Sequence, residues 1–123
     1  DKAADLDPAD AVNIRVHNGM DADIDRLWLG RGIDPASAED PAFHTRYDGI
    51  AQGADSRYLT VKPDLANYDS LNLTIDGQSF TAVRFDLQLG LEPLPVGGYY
   101  TIVLDQEGDQ AVVTGITTDP APG

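Results

Sequence analysis

A chain of 123 residues is the size of one domain, long enough to bury a core of its own. With 21 acidic residues against 8 basic ones, its net charge is −13. That balance excludes the phosphate neutralisation that nucleic-acid binding needs, and it disfavours an anionic membrane surface. No cysteine is present, so disulfides, thiolate metal sites and thiol nucleophiles are excluded together. No apolar run approaches the roughly 18 residues of a membrane-spanning helix.

In chain order, residues 1–11 are acidic and alanine-rich with no strand pattern. They read as a flexible tether, of the kind left when a signal sequence is removed. Val12-Asn-Ile-Arg-Val-His-Asn18 then alternates, with Val12, Ile14 and Val16 facing inward, and Asn18-Gly19 signals a turn. In Ala22–Leu29 the alternation slips: Ile24 is out of phase with Leu27 and Leu29. A β-bulge near Asp25-Arg26 is expected to restore it, with Trp28 pointing away from the two leucines.

Residues 30–55 are rich in Gly and Pro. A structureless loop of that length is unusual in a compact domain, so a strand is expected around Ala42–Tyr47. The stretch before it, Gly30–Asp40, reads as an acidic surface loop with at most one helical turn at Pro35–Glu39. Further strands are expected at Ser56–Lys62, Ser70–Asp76, Ser79–Asp86 and Gln110–Thr118. Asp76-Gly77 is the strongest hairpin signal in the chain. Leu94-Pro-Val-Gly-Gly-Tyr-Tyr-Thr-Ile-Val-Leu104 is a turn feeding a strand that is apolar or aromatic on both faces. It is the expected centre of a sheet.

Seven or eight strands with no useful helical period predict an all-β, antiparallel two-sheet sandwich over residues 12–118, immunoglobulin-like or transthyretin-like. A tail follows at 119–123.

Tyr47-Asp-Gly-Ile-Ala-Gln-Gly-Ala-Asp-Ser-Arg-Tyr58 and Asp86-Leu-Gln-Leu-Gly-Leu-Glu-Pro-Leu-Pro-Val-Gly-Gly-Tyr-Tyr-Thr101, with the hairpin ending at Gly77 between them, carry a resemblance. The order of features over residues 12–105 resembles small uncharacterised bacterial envelope lipoproteins. It is also similar to secreted bacterial sandwich domains of unknown function. The resemblance implies an exported sandwich, periplasmic, outer-membrane-anchored or extracellular, with its lipid on a cysteine just upstream where one is carried. It brings no catalytic residues with it, and the Gly30–Asp40 segment departs from the pattern.

Chemistry-bearing residues are few. Asp21, Asp23 and Asp25 fall on one face if extended, about 6.5–7 Å apart. A bend could gather them around Ca²⁺, which takes six to eight oxygens. Arg26 and Gly32 occupy the positions where an EF-hand needs Gly and Glu, so that motif fails. His17 and His44 are the only histidines and sit on separate expected strands. No serine has a nucleophile-elbow context, so the chain reads as a non-enzyme. Trp28, Arg31 and Asp34 form the candidate partner-binding surface, for an envelope or extracellular protein. Trp28 and the tyrosines at 47, 58, 68, 99 and 100 are expected mainly in the core, with hydroxyls bonded at sheet corners; several of them surfacing on one sheet face would instead form an anchor-rich patch of the kind protein interfaces use. Beyond Ca²⁺ no cofactor is expected. A Ca²⁺-stabilised adhesion or matrix-type domain is the alternative to an envelope accessory module.

Overall fold

The computed structural model describes residues 10–30, 44–61, 63, 68, 70–82, 89–90 and 92–120. Eight strands run β1 Val12–Gly19, β2 Ile24–Gly30, β3 His44–Ile50, β4 Leu59–Val61, β5 Ser70–Ile75, β6 Gln78–Ala82, β7 Tyr99–Glu107 and β8 Gln110–Asp119. They form two four-stranded sheets, ordered β4-β1-β7-β8 and β3-β2-β5-β6. This is the expected two-sheet sandwich, and β7 is central in its sheet.

Alternation sets which side chains meet between the layers. Val12, Ile14 and Val16 of β1 and Tyr100, Ile102 and Leu104 of β7 face Leu27, Leu29, Leu71 and Leu73 of the other sheet, all buried in one core. Met20 and Tyr68 join that core from outside the strands.

One pairing is not antiparallel. β1 and β7 run parallel, from Asn13↔Tyr99 to Gly19↔Asp105. Parallel neighbours need a long connection, and here the intervening chain builds the whole second sheet before returning. A Cβ at Gly19 would collide with the Leu104 carbonyl oxygen, so glycine there permits the close approach of β1 to β7.

The Asp76-Gly77 hairpin is present. Ile75↔Gln78 closes it, and Asp76 and Gly77 have φ of 50° and 79°. A type I′ turn requires positive φ at both positions.

Other expectations are corrected. β1 does not turn at Asn18-Gly19; it runs through Gly19, and the bend comes at Met20–Ala22. The Asn18 side chain holds that bend: its amide nitrogen donates to the Ala22 and Ile50 carbonyls, and its oxygen accepts the Met20 N–H, all at 2.9 Å. No bulge interrupts β2, because Ile24↔Ile50 and Arg26↔Asp48 share one register. The phase change instead coincides with Gly49 on β3, at φ 61°, which the register sets opposite Asp25; both Ile24 and Ile50 reach the core.

A bulge does occur in β8, where Val103 faces Gly115 but Leu104 faces Val113. The extra residue, Thr114, lets Val113 and Ile116 both pack toward the core despite their odd spacing. β4 is shorter than expected, β3 runs on through Ile50 rather than ending at Tyr47, and β8 extends through Asp119 rather than ending at Thr118. The Gly30–Asp40 loop beyond Gly30 and the tether up to Ala9 lie outside the described residues.

Candidate binding surface

Asp21, Asp23 and Asp25 flank and open β2, but they do not converge. Asp23 accepts the Gln52 N–H at 2.8 Å and Asp25 accepts the Asp76 N–H at 2.9 Å, so each carboxylate caps a different turn. At Asp21 it is the backbone N–H that is engaged, donating to the Gln106 side chain at 3.0 Å. Among the described residues no group of three His, Cys, Asp or Glu side chains could hold a metal ion. His17 and His44 lie on different sheets.

Trp28 projects from the outer face of its sheet, opposite Arg46 on one side and Asn72 on the other. It is 8% exposed, and among the described residues its indole N–H and the Asn72 side-chain oxygen have no hydrogen-bond partner. Arg31 and Asp34 lie outside the described residues, so Trp28 is the one member of that predicted surface with a described position.

Three of the tyrosines are core, as expected. Tyr47 donates to the Ile14 carbonyl at 2.7 Å, and burial pushes its hydroxyl far above its ordinary pKa. Tyr68 accepts the Leu94 N–H at 2.8 Å, and Tyr100 is 5% exposed. Tyr58 and Tyr99 differ: both are partly exposed on the outer face of the β4-β1-β7-β8 sheet.

That face carries the densest side-chain network in the described structure. The register lines up Asn13, Tyr99 and Asp119 in one row, Arg15, Thr101 and Thr117 in the next, and His17, Val103 and Gly115 in a third. Arg15 donates from Nε to Thr101 Oγ1 at 2.9 Å. It lies 3.7 Å from Asp119 and 3.5 Å from Asp55, and its guanidinium sits 4.9 Å from the centroid of the Tyr58 ring. The Tyr58 hydroxyl donates to Asp119 at 2.8 Å, and the Thr101 hydroxyl donates to the same oxygen. Tyr58 meets Tyr99 edge to face, with centroids 5.1 Å apart at 87°.

Asp119 is therefore the hub. Burial alone would raise its pKa; hydrogen bonds from Thr101 and Tyr58, the Arg15 charge and a bond from Thr117 outweigh that and hold it below its usual 3.8. Burial, followed by the bond to Asp119, raises the Tyr58 hydroxyl. His17 Nδ1 lies 2.7 Å from Asp55 Oδ1, the form of a base-orienting pair. The adjacent Ser56 hydroxyl is not its partner: it accepts the Val16 N–H and donates to the Arg57 carbonyl, both at 2.9 Å. Beside it, Tyr47, Asp48, Gly49, Asp55, Ser56 and Arg57 line a depression of about 260 Å³ at the edge of the sandwich.

Sequence reading raised Tyr58 and Tyr99 as part of a possible surface patch but missed the polar network that holds them. Its members come from residues as distant as 15, 55, 58, 101 and 119, and alternation marks Arg15 and Thr101 only as outward-facing. Asp119, next to Pro120, read as the start of a tail.

Fold and surface together define a small all-β sandwich with one polar, aromatic outer face. No protein-family model matches the chain, and no curated protein does. Among solved structures it is similar to the NMR structure of the protein from Eubacterium rectale. The identity is 13% and the TM-score 0.49, over 89% of this chain and 93% of that one. Among the described residues no helix is long and apolar enough to cross a membrane.

Proposed function

We propose that this chain is a non-enzymatic binding or accessory module of a bacterial cell envelope, exported and, where an upstream cysteine is present, lipid-anchored. The observation that carries the binding role is the outer face of the β4-β1-β7-β8 sheet. It sets an arginine and two tyrosines, residue types enriched in binding hot spots, in a fixed arrangement. Groups already held by Asp119 lose little freedom on association, which favours binding. The envelope setting rests on the sequence resemblance over residues 12–105.

The test is capture from a bacterial envelope extract by the immobilised chain, beside a Tyr99→Ala variant and a Thr74→Ala variant on the opposite sheet. A component retained by the parent and by Thr74→Ala, and lost with Tyr99→Ala, supports the reading. Retention indifferent to Tyr99, or no retention, removes it. Fractionation of cells expressing the full gene tests localisation, and a purely cytosolic product would refute the exported reading.

A further inference from the structure

We infer that the Arg15–Tyr58–Tyr99 face binds a neutral polysaccharide chain; this rests on the binding-module reading above and names its ligand class. Three observations converge on it.

First, the surface is an outer sheet face whose outward-facing residues stand in rows across β1, β7 and β8. Small-molecule sites are concave and enclose most of their ligand, whereas rows running across several strands suit an extended polymer laid over them.

Second, the chain carries −13, which repels a polyanion. On this face Arg15 lies between Asp55 and Asp119, so its charge is locally compensated and offers no strong attraction to a charged ligand.

Third, the available groups suit sugars. The core of a protein interface adds a desolvated apolar patch to its aromatic and arginine anchors. Among the described residues the exposed large hydrophobic side chain is Val96, at 53%, in the turn before β7 rather than within these rows. The face instead presents two phenol rings at right angles, a guanidinium, an imidazole and a carboxylate. Tyrosine joins an apolar ring to a polar tip, and a pyranose has the matching alternation of C–H faces and hydroxyl edges. Arg15 uses Nε for Thr101 and one terminal nitrogen for Asp55, and His17 uses Nδ1 for Asp55. Among the described residues nothing engages the second terminal nitrogen of Arg15, His17 Nε2 or the Tyr99 hydroxyl, which leaves them to meet sugar hydroxyls.

The experiment is a titration of the ¹⁵N-labelled chain, followed by NMR, with chitotetraose and separately with maltohexaose. Each is taken to about 10 mM, tenfold above a Kd of about 1 mM. The expected result is saturable shifts of the Arg15, His17, Tyr58, Tyr99 and Thr101 amides with at least one of them. Tyr99→Ala and Arg15→Gln should weaken binding at least about fivefold, and Thr74→Ala should leave it unchanged. Thermal melts of each variant separate loss of binding from loss of fold.

No shifts with either oligosaccharide, or shifts confined to the other sheet, overturn the inference. If oligosaccharides fail but envelope capture still depends on Tyr99, the ligand class is wrong and the binding reading stands with a protein partner. If both fail, both fall.

Discussion

Asn18 and Asp119 each tie several segments together through one side chain, and they do so differently. Asn18 is fully buried and spends its carboxamide on three backbone groups from two turns. Asn18→Ala removes the hydrogen bond to one buried and one part-buried carbonyl and to one N–H, and is expected to destabilise by about 2–4 kcal/mol in urea denaturation. Asp119 acts through charge. Its folded pKa is depressed, so its contribution is present above the unfolded value of 3.8 and fades as pH falls through the lower folded value. Asp119→Asn should therefore lower the melting temperature at pH 7, by the equivalent of about 1–2 kcal/mol. The gap between variant and parent should narrow below pH 3.8; a gap that persists unchanged into acid would mean that the carboxylate charge is not the cause. Neither role is legible in the chain. Asn18-Gly19 reads as a turn because both residues favour turns, yet the asparagine holds its turn from within a strand.

The elements themselves were largely readable, because each strand's alternation is a local property. The Asp76-Gly77 hairpin is the clearest case: an aspartate tolerates positive φ and a glycine prefers it, so the dipeptide specifies the turn by itself. Gly77→Ala should destabilise by about 1–2 kcal/mol, measured by the same denaturation. What strands pair with was not readable. The parallel β1·β7 pairing depends on the chain closing a second sheet first, and Gly19 reveals its role only when Leu104 is beside it. Gly19→Ala should cost more than Gly77→Ala, about 2 kcal/mol or more, since backbone must move to make room. The β2 phase slip shows the same limit: out-of-phase isoleucines read as a bulge in their own strand, while the positive-φ glycine aligned with the slip sits on the neighbouring one.

At the scale of the whole molecule, charge and packing oppose each other. A net −13 on one small domain repels itself, and salt screens that repulsion within about 30 Å at 0.01 M and about 3 Å at 1 M. Raising sodium chloride across that range should raise the melting temperature by about 4 °C or more. Calcium at matched ionic strength should add nothing further, because Asp23 and Asp25 already cap separate turns. A calcium-specific rise of several degrees would restore the acidic triplet as a metal site.

The sequence by itself determined the sandwich class, the identity of most inward-facing side chains and the acidity of the exterior, because these follow from composition and from a period of two within each strand. Only the tertiary structure decided which outward-facing residues meet. Arg15, Tyr58 and Asp119 share a face because β4, which Tyr58 leads into, lies beside β1, and β1, β7 and β8 follow side by side; strand order is set by the packing of distant segments rather than by any pattern along the chain.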